Sequence, residues 1–193
     1  MGQLFEAVVD YLTEDDWKFN VVKDDTALML SFRGEAGSWQ CFATVDEEKQ
    51  WFTFYSILPS NVPEEKRVEI AEFITRANYG LVIGNFEMDY GDGEVRYKTS
   101  VDVEGGELTP KMIENLMRAN LMTMDRYFPG VMGVLYGDRD PAEAIAETEE
   151  GVHEPGDDDL DDLGFGEEDE DEEGNGFSGG SDDGDQPPGD LPR

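Results

Sequence analysis

Two residue types that carry much of protein chemistry are nearly missing from this chain. Of its 193 residues, one is cysteine, Cys41, and one is histidine, His153. A single thiol excludes an internal disulfide and a multi-thiolate zinc site. A single imidazole excludes a His-rich metal centre. Basic residues are scarce as well: 14 Lys and Arg stand against 47 Asp and Glu, a formal net charge of −33. Nucleic-acid backbones and anionic membrane surfaces both demand clustered cations, so neither is expected as a partner. The longest uncharged, mostly apolar run covers residues 127–137, far short of the roughly 20 residues of a membrane span. No G-x-S-x-G elbow and no glycine-rich phosphate loop occurs. Residues 1–12 contain Glu6 and Asp10 without a basic cluster, so no secretory leader is expected. Glu6 also stands where a myristoylation signal needs Ser or Thr. The cytoplasm is the expected location, in keeping with a lone free cysteine.

What is present divides unevenly. Residues 149–193 hold 19 acidic residues and one basic residue, Arg193, together with 10 of the 22 glycines. Their large apolar residues are Val152, Leu160, Leu163, Phe165, Phe177 and Leu191. That little apolar area does not offset roughly 1–2 kcal/mol of backbone entropy per ordered residue. The expectation is an extended, disordered acidic tail. Residues 1–148 keep a net charge of −15 and 19 of the 21 aromatics, enough for one folded domain.

Within that body, Leu4, Phe5, Val8, Val9 and Leu12 recur at helical spacing, predicting a helix over residues 3–14. Strands are predicted over 17–22, 27–33, 39–45 and 51–58, joined by short turns at Asp24-Asp25, 34–37 and 46–49 as an antiparallel meander. Pro63 followed by Glu64 and Glu65 opens a helix that runs to Gly80. Residues 81–90 and 94–103 flank Gly91-Asp92-Gly93, a hairpin signal. Thr109-Pro110 caps a long helix to about Tyr127, with Pro129 kinking or restarting it, and Asp140-Pro141 starts a short last helix. The order α-β-β-β-β-α-β-β-α-α predicts an α+β domain, an antiparallel sheet with helices packed on it.

The body resembles the YbjN domain family. The residues that carry the resemblance are Trp17-Lys18-Phe19, Trp39-Gln40-Cys41, Phe54-Tyr55, Val62-Pro63-Glu64, Ala71-Glu72-Phe73 and Arg76-Ala77-Asn78-Tyr79-Gly80-Leu81. They continue with Gly84-Asn85-Phe86-Glu87, Arg96-Tyr97-Lys98, Met124-Asp125-Arg126-Tyr127, Pro129-Gly130 and residues 141–145. The resemblance spans residues 3–147 and implies a fold like the chaperones of type III secretion. It also implies a role in regulating bacterial sensory transduction, without an established reaction.

Candidate chemistry is sparse. Cys41 sits on an apolar strand, where a thiol packs rather than reacts. Asp157, Asp159, Asp161 and Glu168 match positions 1, 3, 5 and 12 of a calcium loop, but Asp162 occupies the position that needs glycine. Acid runs meet such patterns by chance, so no metal site, cofactor or catalytic residue is assigned. Leu160, Leu163 and Phe165, set in acid, form a tail motif suited to a basic groove with an apolar floor; the alternative is a solubilising tail. Met112, Met117, Met122, Met124 and Met132 line the long helix, either as an adaptable binding face, through Met117 and Met124, or as core. Arg76, Asn78, Tyr79, Asn85, Glu87, Arg96, Tyr97 and Lys98 form a polar-aromatic cluster around the hairpin, with Glu87 and Arg96 nearly opposite. It reads as a partner surface, or as a cross-strand ion pair with helix termination.

The leading expectation is a non-enzymatic cytoplasmic protein that binds a protein client or regulatory partner. It would act as a chaperone-like adaptor or regulator in bacterial signalling or stress response, with a homodimer as a further expectation. The alternatives are an acidic tail that engages a basic partner, a carboxylate-based enzyme, which needs two carboxylates in a cleft, and acidity as an adaptation to high salt.

Overall fold

The computed structural model describes residues 2–23 and 26–150. The tail motif Leu160, Leu163 and Phe165, His153, the calcium-loop pattern and the Asp24-Asp25 turn lie outside the described residues. The chain divides into Met1–Val152 and His153–Arg193.

Helix α1 (Gln3–Glu14) buries Leu4, Phe5, Val8 and Leu12 along one stripe. Its start lacks a capping side chain of its own. Glu47, from a distant turn, accepts from the Phe5 amide at 2.8 Å instead, placing a carboxylate where the helix dipole favours it. Strands β1 (Phe19–Lys23), β2 (Ala27–Arg33), β3 (Ser38–Asp46) and β4 (Trp51–Ile57) follow as an antiparallel meander. A 3-10 turn (Glu64–Lys66) leads into α2 (Arg67–Gly80). Strands β5 (Asn85–Met88) and β6 (Val95–Asp102) form the hairpin. Helices α3 (Pro110–Tyr136) and α4 (Pro141–Glu149) close the body.

The sheet order is β1-β2-β3-β4-β6-β5. The second strand of the hairpin therefore lies against β4, and β5 becomes the far edge. Alternation along each strand separates two faces. Leu28, Leu30, Trp39, Cys41, Ala43, Val45, Phe52, Phe54, Val95 and Tyr97 point into one core with the buried stripes of α1, α2 and α3. Met29, Phe42, Tyr55, Lys98 and Asn85 share one row across the opposite face, as the register dictates. No helix among the described residues is long and apolar enough to cross a membrane.

Three expectations change at the element level. Residues 81–84 are not strand: β5 begins at Asn85, and Gly84 turns the chain with φ of +81°. Helix α3 runs unbroken through Pro129 to Tyr136. Pro129 is exposed, where an amide missing its bond is cheapest. The helix starting at Pro63 begins instead as the 3-10 turn.

A buried polar seam joins α3 to the sheet. Asn120, fully buried, donates through Nδ2 to the carbonyls of Phe54 and Tyr97 at 3.0 and 3.1 Å and to Thr99 Oγ1 at 3.3 Å. Thr99 Oγ1 donates back to the Leu116 carbonyl at 3.1 Å. These bonds fix the height and rotation of α3 over β4 and β6, because a polar group buried there costs stability unless satisfied.

Candidate partner-binding surface

The end of α2 and the start of β5 are held by side chains chosen for that task. Asn78 accepts from the Phe86 amide at 2.7 Å and donates to the Phe86 carbonyl at 3.0 Å. One carboxamide thus takes the place of a neighbouring strand on the outer edge of β5, where exposed backbone groups would otherwise recruit another chain. The Tyr97 hydroxyl, below the loop, donates to the Ile83 carbonyl. Gly84 passes so close to β6 that a Cβ there would lie 2.5 Å from the Lys98 carbonyl oxygen, so a side chain is excluded on both contact and φ.

This clamped loop presents apolar groups outward. Tyr79 is 97% exposed, Val82 96% and Ile83 48%. Tyr79 stands in the last turn of α2, and Val82 and Ile83 follow in the loop, three exposed apolar residues within five.

Beside it, on the sheet face opposite the core, Glu87 and Arg96 are direct cross-strand partners. Arg96 Nε lies 3.0 Å from Glu87 Oε2, Lys98 pairs with the other carboxylate oxygen, and Asn85 Nδ2 donates to it at 3.3 Å. Burial alone would raise the Glu87 pKa; the hydrogen bonds from Lys98, Arg96 and Asn85 outweigh it and hold the carboxyl below the usual range. The Arg96 guanidinium sits 4.7 Å from the Tyr55 ring centroid, an electrostatic contact with the ring face. Arg96 also reaches Glu94 at 3.7 Å, whose carboxyl is raised, chiefly by burial. Two carboxylates thus flank one arginine whose side chain is only 14% exposed. A shallow, open depression lies between Ser31, Phe32, Trp39, Gln40, Ile57 and Pro59 and has no carboxylate in its wall.

The sequence-predicted site residues separate into three sets. Tyr79 is exposed in the last turn of α2, Asn85, Glu87 and Arg96 lie on the sheet face opposite the core, and Asn78 holds the edge of β5. Arg76 is exposed on α2 and pairs with Glu72 one turn earlier at 2.7 Å. Tyr97, Met117 and Met124 do not belong to this surface: they are 0%, 1% and 1% exposed. The strand alternation that puts Arg96 and Lys98 outward turns Tyr97 inward, and Met117 and Met124 share the core stripe of α3. Of the five methionines on α3, Met122 is exposed and Met112 and Met132 are half-buried. Val82 and Ile83 carry no sequence signal, since a run of apolar residues before Asn85 reads as strand.

Cys41 is buried against Ser56, with Sγ 3.5 Å from Ser56 Oγ, and burial pushes its thiol pKa up to about 12. A thiol so protonated is a poor nucleophile. Among the described residues, no three His, Cys, Asp or Glu side chains converge as metal ligands.

The class defined by this geometry is an α+β protein with one antiparallel six-stranded sheet and, among the described residues, helices on one face and a partly apolar opposite face without them. Residues 5–132 match the model of the YbjN family, described as "Putative bacterial sensory transduction regulator". The chain belongs to the YbjN family. The match ends within α3, so α4 lies beyond it. No curated protein matches the chain. Among solved structures it is similar to YbjN from E. coli, described as "a putative transcription regulator". Identity there is 12%, with 74% of this chain and 92% of that chain covered and a TM-score of 0.49. It is also similar to a chain of the HopA1–SchA chaperone–effector complex, at 15% identity, 63% and 91% coverage and a TM-score of 0.42. A chain of the ExsC–ExsE complex gives 12%, 63% and 90%, and 0.40.

Proposed function

We propose that this protein is a non-enzymatic, protein-binding regulator that works as a chaperone-like adaptor in the cytoplasm. The observation that carries the reading is the clamped loop with Tyr79, Val82 and Ile83 outward beside the Glu87–Arg96–Lys98 cluster. Binding energy concentrates in a few rigid aromatic and aliphatic anchors, and a loop fixed before binding loses little entropy on association. Charge supports the same surface. The strands' charged residues on the bare sheet face are Lys23, Arg33, Arg96 and Lys98 against Asp46, Glu87 and Asp102, near balance in a body of net −15. A partner approaches this face without meeting the acid load carried elsewhere.

The test is affinity capture from native lysate with the full chain and with Tyr79→Ser/Val82→Ser. The double change touches no buried group, so the fold, followed by circular dichroism, stays intact. The expected result is a discrete captured protein that survives moderate salt and is lost from the double variant. Capture that the variant retains but salt removes assigns binding to the acidic tail, since polyanion contacts are screened within about 10 Å at 0.1 M salt. That outcome overturns the proposed surface.

A further inference from the structure

Helix α4 is short. It has nine residues, below the about 12–15 that a helix needs to be more than marginal alone in water. Pro141, Ala144 and Ile145 are its buried residues. It returns along α3 at close range: Cβ atoms built on Gly130 and Gly133 would lie 2.7 Å from Thr148 Oγ1 and 2.6 Å from Arg139 Cδ. The Tyr127 hydroxyl donates to Glu149 Oε1 at 3.0 Å, and Arg139 pairs with Glu147.

The helix itself carries an excess of acid. Residues 140–150 hold five acids and no base. Two of them sit well: Asp140 accepts from the amides of Ala142 and Glu143 at 2.9 and 3.2 Å, and Glu143 lies in the first turn. Glu147, Glu149 and Glu150 crowd the other end, where the helix dipole disfavours negative charge and where no basic residue stands in the last turn. Arg139 pairs with Glu147, and Arg126 lies over the ring of Tyr127, which bonds Glu149, at 5.2 Å.

We propose that α4 is a reversible strap across α2 and α3, shut at high ionic strength and loosened at low ionic strength by its own uncompensated charge. Loosening uncovers the surface around Phe73, Tyr127 and Gly130. Salt screens both the repulsion and the Arg139–Glu147 attraction, but one exposed pair is outnumbered by the acids. The inference does not depend on what the protein binds.

Amide hydrogen exchange on the full chain, at low and at high sodium chloride, tests it. Amides 143–150 are expected to exchange faster than those of α3 at both salts and to slow several-fold at high salt, with α3 unchanged. Glu150→Lys, at an exposed position, is expected to slow them by about 2–5-fold at low salt. Ile145→Ala is expected to remove α4 protection while α3 keeps its own. Protection of α4 equal to that of α3, exchange that salt leaves unchanged or speeds, or no effect of Glu150→Lys overturns the strap.

Discussion

Asn120 shows how one polar side chain sets the geometry of a core. It stands on an apolar stripe between Met117 and Met124, and its amide reaches two strand carbonyls and the Thr99 hydroxyl. Asn120→Ala removes the two amide protons that these three acceptors share and leaves the Phe54 and Tyr97 carbonyls without that donor. Urea unfolding should show a loss of about 2–3 kcal/mol, and a loss under about 0.5 kcal/mol would mean the seam contributes no net stability. Glu87 makes the corresponding argument at the surface. Its carboxyl is held below the ordinary value of 4.5, so it binds fewer protons folded than unfolded in the range just below that value. The stability it confers is complete above about pH 4.5 and is lost as pH falls through the lowered value. The stability gap between the wild-type chain and Glu87→Gln should therefore close on acidification from pH 5 to pH 3. A gap independent of pH would remove the assigned ion cluster.

At the scale of elements, the hairpin turn depends on one backbone conformation. Gly93 has φ of +84°, and a Cβ there would lie 2.1 Å from the Val62 carbonyl oxygen. Gly93→Ala should cost about 2 kcal/mol or more, read as a lower urea midpoint with the m-value unchanged. An unaltered midpoint would show that the turn relaxes freely. Much of this level was legible in the residues. The alternation in β3, the stripe Leu4, Phe5, Val8 and Leu12, and the Thr109-Pro110 and Asp140-Pro141 starts each predict the observed element, because period and capping are local properties. Sheet order is not local. Nothing in residues 85–102 says that β6, rather than β5, lies against β4; that follows from which strand best buries Val95, Tyr97 and Thr99 beneath α3. The same limit hid Val82 and Ile83. Their apolarity predicts strand, and only the clamp by Asn78, Tyr97 and Gly84 turns them outward.

Among the described residues, the helices pack on one side of the sheet and none lies on the other. The bare side is close to electrical balance while the body as a whole is acidic, so the architecture separates a surface that can be approached from surfaces that repel anions. The clamped loop at the β5 edge adds exposed Val82 and Ile83. Partner binding is proposed at this corner. The most direct measurement is photo-cross-linking in native lysate with the full chain carrying a photoreactive amino acid at Val82. A second chain carrying it at Asn115, exposed on α3, is the control. The account predicts a discrete cross-linked protein from position 82 that persists at moderate salt, with none from position 115. No adduct at position 82, or equal adducts at both positions that disappear with salt, would contradict it.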